Sequence, residues 1–269
     1  MDSRTATSAV ESPVPLLFDE TLFVRMARLY AGSCGVAFLA AVLLSAYWPA
    51  AGSYVVGGLF RFHRATLGLL DSLIPWPWAV ILLGNLKGAA TASVLGLLAA
   101  ALLGRVYCWG DRQVRPPQYG WPGRASYAVV AAGAALGQRL LPGVSRPADL
   151  RVRLALAVAA LVPVAVVTLN GLLIGIYLAH SLLHGWTTEL AAAIAGSFPH
   201  GVFELPALFL AGATGLNLAD RLAAHPELSA ATLAPRAREL LLSAPLLRTA
   251  ALLLALVLAG AGLEALFLG

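Results

Sequence analysis

His200 and Glu204 stand four residues apart within a long apolar stretch, so on a helix they share one face. An imidazole and a carboxylate in that register can hold a divalent ion such as zinc, or relay a proton. Glu264, near the end of the chain, is the natural third ligand for such a set. Asn85, Lys87 and Asn170 are further polar residues set in apolar surroundings. A charge at the centre of a bilayer costs about 2.5–3.5 kcal/mol on insertion scales. Glu204 must therefore be protonated, paired or metal-bound. Three chemistries stay open. Asn85, Asn170, His200, Glu204 and Glu264 can form a hydrogen-bonded network that ties helices together. His200, Glu204 and Glu264 can hold a metal with open positions for water. The same residues can line a proton or ion path.

His180 and His184 form a second pair at a spacing of four, just before Trp186, with Glu189 nearby. Two solvated imidazoles at an interfacial helix end account for this spacing, and a peripheral metal pair is the sharper alternative. The H-E-x-x-H, G-x-S-x-G, Walker and G-x-G-x-x-G patterns are absent. Cys34 and Cys108 stand far apart and each without a neighbouring histidine, which excludes a disulfide framework and a zinc-finger spacing.

Composition decides what must position these residues. Of 269 residues, 59% are apolar and only 12% are charged, with a mean hydropathy of +0.81. A soluble domain carries roughly 25% charged residues, so half that supply cannot cover a water-facing surface. This is the composition of an integral membrane protein, and it excludes a disordered chain. The predicted fold class is an all-α polytopic membrane bundle, with about five transmembrane helices plus interfacial or re-entrant ones. Residues 1–26 are polar and carry Asp2, Glu11, Asp19 and Glu20, which predicts a cytoplasmic N-terminal segment and not a cleaved signal. Residues 27–269 are predicted to form a single transmembrane domain, with spans at about 29–49, 79–104, 154–179, 198–217 and 245–268.

The connections carry their own signals. An amphipathic piece around Val55–Leu70, with Arg61, His63 and Arg64, is predicted to lie along the membrane surface. The stretch 127–141 is apolar but too short to span, which predicts a re-entrant or surface helix. As one straight helix 187–218 would reach roughly 48 Å, against a hydrocarbon core about 30 Å thick. Gly196-Ser197 followed by Pro199 therefore predicts a break, giving a short helix near 187–196 and a span near 198–217. Residues 228–243 are predicted to form an amphipathic surface helix. Glycine pairs at a spacing of four, Gly84/Gly88, Gly133/Gly137 and Gly171/Gly175, predict close helix crossings. The first and third adjoin Asn85 and Asn170.

The formal charge of +5 could suggest nucleic acid, but 17 of the 18 cations are arginines scattered between apolar stretches. They follow the positive-inside bias instead. With Arg248, at the start of the last span, counted in the connection before it, three, eight and four cations fall on one side and two on the other. This predicts an odd number of spans, a cytoplasmic N-terminus and an outer C-terminus. The bilayer is one expected partner, other membrane or envelope proteins are another, a homo-oligomer a third, and nucleic acid is not expected.

The stretch 198–213, FPHGVFELPALFLAGA, resembles the signature of the stage II sporulation protein M family. Its specific core is His200-Gly201-x-x-Glu204-x-Pro206. Gly84-Asn85-Leu86-Lys87, Leu169-Asn170-Gly171-Leu172-Leu173-Ile174-Gly175 and Ala259-Gly260-Ala261-Gly262-Leu263-Glu264 agree in order and placement. The resemblance covers about 79–269 discontinuously, and the arginine-rich connection at 105–153 departs from it. It implies a multi-spanning helical protein with an outward C-terminus or short tail. It also implies a role akin to the namesake's, a membrane anchor that gathers peptidoglycan-degrading partners at the septum during engulfment. The first expected function is thus a non-enzymatic scaffold of the cell membrane that recruits envelope or peptidoglycan-remodelling partners. The alternatives are an intramembrane metal-dependent hydrolase using His200, Glu204 and Glu264, and a transport component lined by the broken 187–217 element. No cofactor is required by the first; a divalent metal such as zinc is required by the second.

Overall fold

A computed structural model describes residues 16–52, 54, 58, 77–110, 131–133, 135–140, 149–183, 185, 187–225 and 227–268, with backbone alone at 77–81, 107–110, 187–200, 264–265 and 267–268. The elements in chain order are α1 (Glu20–Tyr47), α2 (Pro77–Ala90), a π-helical turn (Thr91–Leu95), α3 (Gly96–Gly110), α4 (Leu150–Leu183), α5 (Thr187–Ala223), α6 (Ala230–Leu241) and α7 (Ala244–Leu268). No strand occurs among the described residues. Five helical segments are long and apolar enough to cross a membrane: Glu20–Tyr47, Leu82–Val106, Leu150–Leu183, Gly201–Ala223 and Ala244–Leu263. The protein is an all-α polytopic bundle, as composition required.

α1 starts where Asp19 accepts a hydrogen bond from the Leu22 amide at 3.1 Å, with Glu20 in the positive first turn. Its outer face carries Val36, Leu39 and Leu43, all more than half exposed, a surface suited to lipid and not to water. Its inner face meets α4 at Gly171 and Gly175. A Cβ at Gly171 would lie 2.5 Å from the Tyr30 carbonyl oxygen, and one at Gly175 would collide with that of Cys34. Lipid is as apolar as leucine, so close approach of this kind is what holds membrane helices together. α4 sits at the centre and presents mostly small buried residues, among them Ala155, Ala159, Ala160 and Ala179.

α2, the π turn and α3 run as one helical rod. Within the turn the Ser93 hydroxyl donates to the Ala89 carbonyl at 2.7 Å. α5 crosses here: a Cβ at Gly215 would strike the Ala92 carbonyl and lie 2.9 Å from Pro163 Cβ of α4. One turn further along the rod, a Cβ at Gly96 would lie 2.5 Å from the Ala159 carbonyl oxygen of α4. Far in sequence but adjacent in space, the Leu17 amide donates to Thr249 Oγ1 of α7 at 3.0 Å.

α5 corrects one expectation. The helix is continuous from Thr187 to Ala223, through Gly196-Ser197 and Pro199. A length near 55 Å does not force a break, because a helix can extend beyond the hydrocarbon core. Breaking it would expose backbone donors and acceptors where no water can serve them. Gly185 makes the tight turn from α4 into α5, at φ +69°, a conformation that favours glycine.

The expected surface helix at 228–243 is α6, opened by a reciprocal cap in which the Ser229 amide donates to Thr232 Oγ1 at 2.9 Å and the Thr232 amide donates back to Ser229 Oγ at 3.3 Å. Within 127–141, residues 131–133 and 135–140 are helical. Gly137 lies against Ala157 of α4 so closely that a Cβ there would clash. The amphipathic piece around Val55–Leu70 lies outside the described residues, apart from isolated backbone at Gly58.

Candidate functional site

Four polar side chains of the spans, Tyr30, Asn85, Asn170 and Glu204, line one cavity of about 190 Å³ between α1, α2, α4, α5 and α7. Glu204 reaches it from α5, Asn85 from α2, Asn170 from α4 and Tyr30 from α1, while Val257 closes it from α7. Asn85 donates its side-chain amide to Glu204 Oε1, so two spans share one polar contact. Both side chains are half-buried. Tyr30 is held by an edge-on contact with Phe209, ring centroids 5.4 Å apart, and Phe209 in turn meets Phe23 at 5.9 Å. The cavity is thus polar on the carboxylate side and braced by aromatic rings behind Tyr30.

Asn170 reaches the cavity differently from the expected network. Its amide donates to the Val166 carbonyl of its own helix at 2.8 Å. A side chain that bonds the carbonyl four residues earlier is satisfied locally and need not cross to a neighbour. Lys87 lies two residues past Asn85, about 200° round the helix. It is exposed, and the ion pairs among the described residues are Arg151–Asp149 and Arg236–Glu239.

Gly201 and Pro206 flank Glu204 on α5; Gly201 leaves open space where a Cβ would stand, and both are half-buried. His200 precedes Glu204 by about one helical turn, and Glu264 follows Val257 by about two in α7. The backbone of both is described but their side chains lie outside the described residues. The set His200, Glu204 and Glu264 therefore keeps its standing as a candidate. Among the described residues no cluster of three metal-ligating side chains occurs. His184 and the side chain of Glu189 also lie outside the described residues; His180 is half-buried near the end of α4.

The glycine pairs divide by role. Gly171/Gly175 meets the backbone of α1, and Gly133/Gly137 faces Leu154 and Ala157 of α4. Gly84 and Gly88 differ from expectation: both line the cavity, and a Cβ at either would meet nothing within 4 Å. They leave space beside Asn85 and do not draw a helix close.

Tyr30 was not among the candidate residues. At the second position of the expected first span it has the pattern of an interfacial aromatic, and only the packing of α1 in the bundle brings it to the cavity that Glu204 borders. Thr249 was missed too, since a lone threonine in an apolar run gives no sign that the distant Leu17 amide needs an acceptor. Residues 128–267 match the family model described as stage II sporulation protein M. The match includes Asn170, the His200–Pro206 core and Glu264, and leaves Asn85 outside. No curated protein and no solved structure matches the chain.

Proposed function

We propose that this chain, which belongs to the stage II sporulation protein M family, is a non-enzymatic scaffold that gathers envelope or peptidoglycan-remodelling partners at the cytoplasmic membrane. The observation that carries this reading is the Asn85–Glu204 hydrogen bond. The one described carboxylate in the cavity is engaged with a neutral amide of another span, which is how polar groups fasten membrane helices to one another. Tight glycine contacts between α1 and α4 add a rigid platform. On the arginine asymmetry, the N-terminus is cytoplasmic and the C-terminus lies outside. Partners then engage the ends and outer faces of the bundle, and a second copy is one of the partners it can take.

The test pairs localisation with substitution. Cells lacking the chain should lose the focused placement of an envelope-remodelling protein that crosslinks to it in native membranes. A folded Glu204→Gln variant should restore that placement. Loss of function in Glu204→Gln with partner placement intact would refute the scaffold and favour chemistry at the cavity.

A metal-dependent hydrolase is the second reading, favoured by a specific observation. Glu204 borders a cavity of about 190 Å³, room for several waters at about 30 Å³ each, and His200 stands one turn away. His200, Glu204 and Glu264 would be the ligands, and a divalent ion such as zinc would supply an activated water. In that reading purified protein retains near-stoichiometric metal and His200→Ala releases it. In the scaffold reading both are metal-free and the substitution lowers stability alone. The transport reading rested on a broken helix over 187–217, and the continuous α5 removes that ground.

A further inference from the structure

We propose that the groove between the end of α3 and the helix α6 binds the phosphate group of an anionic membrane phospholipid. This site is separate from the cavity at Glu204 and does not depend on the scaffold reading. α6 lies against α3 through Leu233 and Ala237, four residues apart and fully buried. Leu233 sits where a Cβ on Gly104 would be 3.0 Å from its side chain. Beside that contact the two helices leave a groove of about 700 Å³. Arg105 enters it from α3 and Arg238 from α6, both exposed. Its walls are apolar, with Ala231, Ala234, Pro235 and Leu242.

The charge balance of the groove is positive. Glu239 also borders it, but its Oε2 accepts from Arg236 Nη1 at 2.7 Å. That carboxylate is neutralised on its own helix, and Arg105 and Arg238 make no ion pair among the described residues. Two guanidinium forks are suited to the oxygens of one phosphate.

Position identifies the source of the phosphate. Arg105 ends the span Leu82–Val106, and α6 lies between the end of Gly201–Ala223 and the start of Ala244–Leu263. The groove therefore sits at the level where three spans leave the hydrocarbon, which is the headgroup layer. It is also the side that holds most of the arginines, where basic pockets between helices collect anionic lipid. Leu242 is 65% exposed beside the two guanidinium groups. A free phosphate gains nothing from such a wall, whereas the glycerol and first acyl carbons of a phospholipid cover it.

The test uses the full chain in nanodiscs of mixed phosphatidylglycerol and phosphatidylcholine, ejected for native mass spectrometry. Wild-type protein should retain phosphatidylglycerol over phosphatidylcholine, and the double variant R105Q/R238Q should lose about tenfold of that preference. Ala231→Glu, which places an anion at the groove without removing an arginine, should lose it as well. Arg28→Gln, on an exposed arginine of α1, should keep it. Equal retention by wild type and both groove variants overturns the proposal. So does an equal loss in Arg28→Gln, which would mean diffuse attraction. Displacement of the bound lipid by millimolar inorganic phosphate would overturn the lipid assignment.

Discussion

Asn85 on α2 donates its side-chain amide to Glu204 on α5 across 119 residues of sequence. Hydrogen bonds between membrane helices contribute about 0.6 kcal/mol on average and up to about 1.7 kcal/mol. Asn85→Ala should accordingly lower unfolding stability in detergent by about 1–2 kcal/mol. Glu204→Gln keeps an Oε1 acceptor and should lie closer to wild type than Glu204→Leu. Equal losses in Gln and Leu variants would mean that the bond contributes nothing.

Gly171 and Gly175 admit the backbone of α1, so Gly171→Leu has no room to relax. Overpacking costs about 1–3 kcal/mol in ordinary cores, and a backbone neighbour puts this case at the upper end or beyond. Gly84→Ala faces open space and should change stability by no more than about 0.5–1 kcal/mol, in the stabilising direction. Thermal melts of the two variants side by side should separate by several degrees, and coincident melts would contradict the crossing.

Thr249 is fully buried, accepts from the Leu17 amide and donates to the Pro245 carbonyl at 2.9 Å. Thr249→Val keeps the shape but strands a buried donor at Leu17, at a cost of about 1–3 kcal/mol. Hydrogen exchange at the Leu17 amide should quicken in that variant, while amides in the middle of α4 hold their protection. Unchanged exchange at Leu17 would show that the amide finds another acceptor.

Reporter fusions test orientation. Fifteen cations in the connections or at the ends of the spans fall on one side and two on the other, so a fusion after Gly269 should report outside and one at Pro116 inside. The same side for both would refute the arrangement.

The class of this protein follows from the sequence by itself. Hydropathy is a sum over neighbouring residues, and a slab about 30 Å thick tests that sum locally. Runs around 29–49, 79–104 and 245–268 therefore announce their spans wherever the helices go. The His200-Gly201-x-x-Glu204-x-Pro206 core carried the family in the same local way. Other features needed the tertiary structure, because helix rotation is set by partners distant in sequence. Asn85 and Asn170 look alike as lone asparagines beside glycines, yet one bonds Glu204 and the other its own helix. Gly84/Gly88 and Gly171/Gly175 share a spacing, yet one pair borders a cavity and the other a crossing. The π turn at Thr91–Leu95 has no marker in its residues; it lies where α5 presses Gly215 on Ala92. Continuity of α5 through Pro199 was likewise decided by the cost of unpaired backbone in lipid, which outweighs the local signals for a break.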